Sequence, residues 1–374
     1  MQIIIAPNAF KNSLPADEVA EALREGLLQS GFKGNILCCP VGDGGDGTGK
    51  ILRQHLNAKE VKRETLDALQ RPVEASFGMT DDYTAIIELA DASGLRLLKP
   101  AEYSPLFANT RGAGMLITAA LSKGAKKIIL CIGGSATVDG GTGILQELGV
   151  ELRNSNGVIH ELPRGLDKLE TIVTTDFDKR LQHVEITILC DVKNKLLGSN
   201  GAATVFGPQK GASDSDVKFL EKCLRKLDEV VFQTTQQRMS EIPHSGAAGG
   251  VAAALCAFCN ARAVDGIGTF LEIINFESQI QNADLIITGE GALDRQTLDG
   301  KAPFGVALAG KKFNIPIIAV AGRVEDTERL KKYFDEVICI NPPGIGLNEA
   351  IKNTRQNLIQ AGSKIFSDFT STFR

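Results

Sequence analysis

Short apolar runs alternate along the chain with segments in which apolar residues recur every three or four positions. Residues 3–6 form an apolar run that predicts a strand, and residues 19–27 repeat at helical spacing. Ser13 is the predicted N-cap of this first helix, and Pro15 lies in its first turn. The chain therefore opens with a strand, a loop and a helix.

The same alternation continues to the end of the chain. Further apolar runs predict strands at 36–41, 126–132, 185–190, 284–288, 315–321 and 336–340. Helix-like segments lie at 50–56, 107–122 and 217–239. Between about 58 and 90 the residues alternate as in antiparallel or mixed strands. Strands that alternate with helices indicate an α/β protein with a largely parallel sheet.

The length of the chain and its irregular middle indicate two domains. The 374 residues are more than one hydrophobic core usually holds. We predict a discontinuous, doubly wound α/β domain from residues 1–65 and 282–374. Residues 66–281 would form an inserted second α/β domain with a mixed sheet.

Composition and charge exclude several classes of protein. A hydrophobic content of 43% and a charged content of 23% are typical of a globular protein. The net charge of −4 and the absence of Trp argue against a nucleic-acid or membrane-surface protein. No apolar run approaches 18 residues and no signal peptide is visible, so we expect a cytoplasmic protein. The C-x-x-C of Cys256 and Cys259 lacks further zinc ligands and is expected to be free thiols.

Glycine clusters mark the predicted functional loops. They lie at 42–49, 111–114, 133–143, 245–250 and 288–291, and three of them directly follow an apolar strand. Open α/β sheets bind ligands at the carboxyl ends of their strands, where glycine lets backbone N–H groups approach an anion. One such loop would need glycine simply to turn, but several with polar residues favour a site.

Residues 44–50 fit G-x-x-x-x-G-K, which is most of a phosphate-binding P-loop. The match fails at Ile51, where a P-loop needs Ser or Thr for Mg²⁺, and the loop carries aspartates. A P-loop NTPase is therefore excluded. Lys50 is expected to begin a helix, after a carboxylate-bearing loop.

Carboxylates near these loops point to phosphoryl transfer. Asp43, Asp46, Asp139, Asp191, Glu290 and Asp294 lie in or beside the clusters, with Lys11, Lys210 and Lys301 nearby. Acidic groups that face a phosphate need a bridging divalent cation, or else they accept a proton from a hydroxyl. Both needs coincide in phosphoryl transfer to an alcohol. For any single acid, and for Asp139 in particular, an N-cap or a solvated loop charge is the simpler interpretation. The absence of a G-x-S-x-G motif disfavours a serine hydrolase.

These motifs together resemble those of the bacterial type I glycerate kinases. The likeness runs from IIIAPNAFKNSLPADEVAEAL through PVGDGGDGT, ELADASGL, GGSATVDGG, LCDVKNKLLGSNGAATVFGPQKGA and SGAAGG to GEGALDRQTLDGKAPFGVA. It covers most of the chain in register, and the motifs are long.

The resemblance implies an ATP- and Mg²⁺-dependent kinase that phosphorylates D-glycerate at the 2-hydroxyl. It also implies a flavodoxin/Rossmann-like domain, a second restriction-endonuclease-like α/β domain and an active site in the cleft between them. Glycerate would be the small-molecule partner of a monomer or homodimer, without nucleic acid or membrane.

The site residues follow by matching the motifs. The expected catalytic residues are Asp191, Lys11 and Asp43, with Asp191 orienting or deprotonating the hydroxyl; Asp43 and Asp191 are the candidate Mg²⁺ ligands. The expected substrate-binding residues are Asp46, Asn194, Arg111, Glu290 and Asp294, and the expected ATP-binding residues are Gly133, Gly134, Ser135, Thr137 and Lys301.

Three departures from the family pattern bear on substrate choice. Asn8 and Ala9 replace an Asp and a Ser, and Ala292 replaces an Arg that would clamp a carboxylate or phosphate. Arg111 is a candidate substitute for that Arg. A kinase for another hydroxy acid and a non-catalytic sugar-acid sensor stay open as alternatives, although retained carboxylates argue against a sensor. A dehydrogenase is a distant third.

Overall fold

The computed structural model describes residues 1–325 and 327–372, which form fourteen strands and thirteen α-helices joined by loops and short 3-10 turns. The strands are β1 (Gln2–Pro7), β2 (Asn35–Cys38), β3 (Lys59–Leu66), β4 (Pro72–Met79), β5 (Thr84–Glu88), β6 (Lys127–Cys131), β7 (Glu151–Asn154), β8 (Gly157–Val158), β9 (Thr171–Val173), β10 (Glu185–Cys190), β11 (Arg262–Asp265), β12 (Leu285–Leu293), β13 (Ile317–Val324) and β14 (Glu336–Cys339). The helices are α1 (Ala16–Gln29), α2 (Thr48–His55), α3 (Ala90–Ser93), α4 (Arg111–Ser122), α5 (Thr142–Glu147), α6 (Ala202–Phe206), α7 (Asp214–Thr235), α8 (Val251–Cys259), α9 (Gly266–Ile273), α10 (Phe276–Ile280), α11 (Ala302–Lys311), α12 (Thr327–Leu330) and α13 (Leu347–Thr372).

Contacts divide the chain into two compact units. The split unit contains Met1–Asp43 and the chain from Ile267 onward, and the continuous unit is Gly44–Gly266. The predicted domain boundaries lie elsewhere, between residues 65 and 66 and between residues 281 and 282. The first differs because β3 pairs antiparallel with β4 and so joins the sheet of the continuous unit.

The split unit is built on a five-stranded parallel sheet in the order β14-β13-β12-β1-β2. The chain leaves β1 towards β2 on one side and resumes at β12 on the other. The sheet therefore has its topological switch point between β1 and β12, where open α/β sheets bind ligands beyond the carboxyl ends of the strands.

Helices cover both faces of this sheet. On one face α1 and α13 approach so closely that a Cβ on Gly26 would lie 2.0 Å from the Ile359 carbonyl oxygen. On the other face Gly310 of α11 packs against Ile286 and Ile317. Successive strand residues point to opposite faces, so apolar runs such as Ile3–Ile5 bury side chains on both.

The continuous unit contains a mixed six-stranded sheet in the order β11-β10-β6-β5-β4-β3. Strands β11, β10, β6 and β5 are parallel, and β4 and β3 are antiparallel. A second sheet, β8-β7-β9, packs with α7 and α8 around its own apolar cluster. The predicted mixture of antiparallel and parallel strands is confirmed for the described chain.

Helix starts were predicted less well than strands. The N-cap of α1 is Pro15 and not Ser13, whose hydroxyl instead donates to the Ile351 carbonyl oxygen at 3.1 Å. Helix α4 begins at Arg111, because the residues from 107 to 110 form a turn and a loop. Within the described residues, no helix is long and apolar enough to span a membrane.

Candidate functional site

Polar side chains gather at the switch point of the split unit. The Asn8 N–H donates to the Gly289 carbonyl oxygen at 2.8 Å, which ties the end of β1 to β12. The Asn8 side-chain amide donates to Asp43 Oδ2 at 3.1 Å. We call the following residues the switch-point cluster: Asn8, Lys11, Asp43, Glu290, Asp294, Thr297 and Lys301.

Glu290 is the most deeply buried carboxyl of this cluster. It accepts a hydrogen bond from the Thr297 hydroxyl at 2.7 Å, and Lys301 Nζ lies 3.8 Å from Glu290 Oε2. Burial raises the pKa of Glu290 to about 7, Asp43 adds to the rise, and Lys301, Thr297 and Lys11 oppose it. Glu290 is therefore a carboxyl that changes charge near neutral pH, beside two lysines.

Lys301 is the N-cap residue of α11 and belongs to this cluster. Its ammonium also lies 3.9 Å from Asp294 Oδ1. The sequence grouped it with the residues of the 133–137 loop, which are in the continuous unit. Among the described residues, the two carboxylates that pair with its ammonium, Glu290 and Asp294, both belong to its own unit.

The contact of Asn8 with Asp43 shows what the replacement of the family's Asp by Asn at this position does. The Asn8 amide donates to Asp43, so a neutral donor stands where the family pattern has an acid. An Asp at this position would place a second negative charge against Asp43. The substitution thus orients the Asp43 carboxylate without repelling it.

A second group of functional side chains lies at the edge of the six-stranded sheet. Strands β5, β6 and β10 are parallel and in register, with Glu88 and Leu189 both opposite Cys131, so their carboxyl ends share one edge. The loop after β2 covers this edge: the Gly133 N–H donates to the Gly44 carbonyl oxygen at 2.9 Å. We call the following residues the sheet-edge cluster: Asp46, Glu88, Asp91, Arg96, Gly133, Gly134, Ser135, Thr137 and Asp191.

Glu88 explains why the P-loop-like sequence is not a P-loop. Its carboxylate accepts hydrogen bonds from the backbone N–H groups of Gly47, at 2.5 Å, and Lys50, at 3.2 Å, at the start of α2. In a P-loop those donors face phosphate. Here a protein carboxylate occupies that position. Burial, with Asp91 next, raises the pKa of Glu88 to about 7, although the Gly47 hydrogen bond opposes it.

Asp46 stands in a network of charges that the sequence did not single out. Arg96 Nη1 lies 3.4 Å from Asp46 Oδ1, and Arg96 also pairs with Asp91. Arg53 binds the other oxygen of Asp91 at 2.7 Å. The motif ELADASGL contained Glu88 and Asp91, but only the fold brings the arginines to them.

A buried lysine, Lys210, holds the 133–137 loop by hydrogen bonds. Gly134 has φ +71°, a conformation that favours glycine. Lys210 Nζ donates to Ser135 Oγ at 2.7 Å and to the Thr137 carbonyl oxygen at 2.8 Å. Lys210 is only 3% exposed, and burial lowers its pKa to about 7. Ser135 and Thr137 are both buried, so the predicted ATP loop packs against a buried lysine whose charge depends on pH.

Asp139 is a structural residue. It is completely buried and accepts hydrogen bonds from the N–H and hydroxyl of Thr110 and from the N–H groups of Gly141 and Gly143. Burial raises its pKa, and these donors oppose the rise. The N-cap of α5 is Gly141, so Asp139 is neither the N-cap nor a solvated charge: it is a buried acceptor that ties Thr110 to the loop before α5.

The remaining predicted residues have protein partners. Asp191 directly follows β10, and the next carbonyl, that of Val192, lies 2.7 Å from His244 Nδ1. The Asn194 amide donates to Asn200 Oδ1 at 2.6 Å. Arg111 Nε donates to Glu147 Oε1 at 2.5 Å, so its guanidinium is already paired.

Metal binding is not visible as a preformed cage. No group of three or more His, Cys, Asp or Glu side chains suited to a metal ion occurs in the described part of the chain. The candidate Mg²⁺ ligands Asp43 and Asp191 belong to different units.

Carboxylates and lysines at strand ends, beside glycine-rich loops, are the groups that a phosphotransferase acting on an alcohol requires. The model of the Glycerate kinase family matches residues 3–370, and the chain belongs to that family. This confirms the resemblance seen in the motifs.

Similar proteins cover almost the whole chain. A glycerate kinase of Bacillus cereus is 40% identical over 371 residues, which are 98% of this chain and 97% of that protein. The glycerate 2-kinase of Escherichia coli K12 is 38% identical, over 98% of this chain and 97% of its own. A crystal structure of a protein assigned as glycerate kinase 2 from Salmonella typhimurium LT2 superposes with a TM-score of 0.84, at 37% identity, covering 99% of this chain and 98% of that one.

Proposed function

We propose that the protein transfers the γ-phosphoryl group of ATP to the 2-hydroxyl of D-glycerate, giving 2-phosphoglycerate and ADP. The family match over residues 3–370 carries this proposal. The two clusters of carboxylates and cations at strand ends support it, because phosphoryl transfer depends on positioning and charge neutralisation.

The two clusters are proposed to divide the work. Lys11 and Lys301 of the switch-point cluster counter the charge of the acid and the phosphates, with Asp43 and Glu290 as acceptors for substrate hydroxyls. In the sheet-edge cluster, the ATP phosphates are taken by backbone N–H groups of the 133–137 loop other than those of Gly133 and Ala136, which donate to carbonyl oxygens. Asp191 orients the reacting hydroxyl and accepts its proton.

Mg²⁺ fits this donor set. It is usually held by one or two carboxylates, with substrate phosphates and water completing its shell, so a three-residue protein cage is not required. Asp43, oriented by the Asn8 amide, and Asp191 are each a candidate carboxylate ligand for it. When bound, the ion neutralises negative charge on the phosphates. The shared active site, a monomer or homodimer and a cytoplasmic location stay predictions from the sequence.

The test is a coupled assay with purified protein, ATP, Mg²⁺ and D-glycerate. Enolase alone converts 2-phosphoglycerate to phosphoenolpyruvate, which absorbs in the ultraviolet. A signal with enolase alone supports 2-phosphorylation. A signal that needs added phosphoglycerate mutase shows the 3-isomer. No ADP with glycerate, but ADP with another hydroxy acid from a panel, favours the alternative substrate class that the Ala292 departure leaves open.

Replacing Asp191 by Asn tests the proposed proton acceptor. We expect kcat to fall by roughly 10²- to 10⁴-fold, since general bases contribute about that much, while the KM for ATP changes little. Asp216→Asn, in the exposed capping box of α7, is the matched control and should keep full activity. Near-normal turnover by the Asp191 variant would assign the base elsewhere, with Glu290 the next carboxyl to test.

A further inference from the structure

Lys210 is a lysine enclosed beneath the 133–137 loop. It ends the short turn Pro208–Lys210 and is followed by Gly211 at φ +93°. A Cβ on Gly211 would lie 2.3 Å from the Tyr103 carbonyl oxygen, so the backbone here is tightly packed. The packed backbone fixes the position of the Lys210 Cα, and the two hydrogen bonds to the loop fix the position of Nζ.

The charge of Lys210 has no direct counter-ion. Among the described residues, none forms an ion pair with its ammonium. Asp139 is the charged group that acts on it, and its carboxylate already accepts four hydrogen bonds from Thr110, Gly141 and Gly143. Burial therefore dominates, and the pKa of Lys210 falls to about 7. Near neutral pH the side chain is a mixture of amine and ammonium.

The contacts of Lys210 do not depend on its charge. A neutral amine has two N–H groups, enough for Ser135 Oγ and the Thr137 carbonyl oxygen, and an ammonium has a third. The Thr137 hydroxyl is itself buried and has no hydrogen-bond partner in the part of the chain that the structure describes. The loop can thus keep its geometry while the charge beneath it changes.

We propose that Lys210 positions the 133–137 loop for the nucleotide and takes up one proton from solvent when the anionic phosphate groups bind. The inference rests on the proposed function, which places the ATP phosphates at this loop. The phosphates supply the negative charge that the buried site lacks, so the binding step converts R–NH₂ to R–NH₃⁺ without any covalent change. Lys210 is a positioning residue, since it acts through Ser135 and Thr137.

The charge of Lys210 gives nucleotide binding a defined pH dependence. Below pH 7 the ammonium predominates and nucleotide binding needs no further proton. As pH rises above 7, binding must draw a proton from solvent, so nucleotide affinity falls. Ionisation of the phosphates themselves acts in the opposite direction, but it is the same for wild type and variants.

Proton uptake is measured by titration calorimetry of the full-length protein with ADP and Mg²⁺ at pH 7.5, in two buffers that differ in ionisation enthalpy. Wild type should take up as much as about three quarters of a proton per nucleotide more than the variants. Lys210→Met and Lys210→Gln should show only the background of the nucleotide. Lys218→Met, an exposed lysine of α7, is the matched control and should behave as wild type.

Kinetics separate a positioning role from a merely structural one. We expect Lys210→Met to raise the KM for ATP at least 10-fold and to leave the KM for D-glycerate unchanged. Lys210→Gln, which can still donate to Ser135, should recover part of the ATP affinity but none of the proton uptake. Urea unfolding of each variant checks that it is folded.

Three outcomes separate the further inference from the proposed kinase function. Active wild type whose proton uptake equals that of both folded variants would overturn the inference and leave the kinase standing. An unchanged KM for ATP in both variants would overturn the inference in the same way. Wild type that neither binds ADP nor phosphorylates glycerate would reject the proposed function itself.

Discussion

At the scale of single residues, the functional loops are surrounded by ionisable groups whose charge is set by burial. Glu88, Glu290 and Lys210 all have pKa values shifted to about 7, and loss of contact with water is the main cause for each. The sequence predicted that Glu290 mattered, but no residue pattern reveals how deeply a side chain will be enclosed. Burial is decided by elements far away in the chain.

The raised pKa of Glu88 should be measurable as a pH dependence of the free energy of unfolding. The folded pKa of Glu88, about 7, lies above the usual 4.5, so the folded state holds a proton that the unfolded state has lost between those values. Stability must therefore fall as pH rises from 4.5 to 7, by up to about 3 kcal/mol from this group. Glu88→Gln should flatten that part of the curve in urea unfolding from pH 4 to 8.

The exposed Glu241→Gln serves as the control, and it should leave the slope as in wild type. Parallel curves for wild type and the Glu88 variant would show that Glu88 does not titrate in this range.

Cysteines illustrate what the sequence could establish. The thiols of Cys256 and Cys259 are free, as predicted, and burial raises the pKa of Cys259 to about 12. Cys339 differs from the other cysteines because it is exposed, at the end of the edge strand β14, whereas Cys38 and Cys256 are partly buried and the rest are buried.

At the scale of elements, the glycines allow the functional loops to pack closely against one another, in addition to any role in ligand binding. A Cβ on Gly133 would lie 2.4 Å from the Gly45 backbone, and one on Gly249 would lie 2.2 Å from the Thr137 carbonyl oxygen. The loops around 45, 133–141 and 249 are thus packed backbone against backbone. Apolar runs and glycines predicted the positions of these loops, but not which loops touch.

Gly133→Ala tests this packing. The added methyl group must separate the two loops, so we expect a loss of about 1 to 3 kcal/mol in the free energy of unfolding and a clear drop in kcat/KM. Gly346→Ala places its methyl group in open space and should change neither. A Gly133 variant as stable as wild type would mean that the loops yield easily.

Strand pairing suggests a substitute for the arginine missing at position 292. Ala292 of β12 is opposite Arg323 of β13, and both lie on the face of the sheet that carries Glu290, two residues earlier. Arg323 is largely exposed and pairs with Glu325 at 3.4 Å. The fold therefore offers a guanidinium one strand away from the expected place.

We expect Arg323→Ala to raise the KM for D-glycerate roughly 10- to 100-fold, the usual worth of a charge-assisted contact. Arg355→Ala is the control, since Arg355 is also exposed and paired with a glutamate. An unchanged KM for this variant, with a raised KM for Arg111→Ala, would favour Arg111 instead.

At the scale of the whole molecule, the alternation of strands and helices predicted the α/β class, and the irregular middle of the chain led us to predict an inserted domain. Strands β1 and β10 lie where the apolar runs placed them, because buried parallel strands have few competing interpretations. Strand β12 begins as predicted but continues to Leu293, through the glycine cluster at 288–291 that was predicted to be a loop. The predicted boundaries differ from the contact-defined ones because they depend on pairings such as β3 with β4, which local sequence does not encode. The charge network of Arg53 and Arg96 was missed for the same reason.

The continuous unit should fold by itself. It has its own sheets and apolar clusters, with Phe77, Leu130 and Leu224 fully buried. We expect a fragment of residues 44–266 to unfold cooperatively in urea, with α/β circular dichroism and no kinase activity. Residues 1–43 alone should be unstructured, since β1 needs β12. A fragment 44–266 that is unfolded in water would mean that the units are stable only together.

The pairing of β1 with β12 has a consequence for biosynthesis. Ala6 and Thr288, which share a hydrogen bond at the centre of the split unit, are 282 residues apart. At a ribosomal rate of about 5 to 20 residues per second, the first strand waits roughly 15 to 60 s for its partner. During that interval the apolar strand IIIA is exposed on the nascent chain, while the continuous unit has time to fold. We therefore expect the yield of folded protein to depend on how well this strand is shielded from aggregation until β12 has been synthesised.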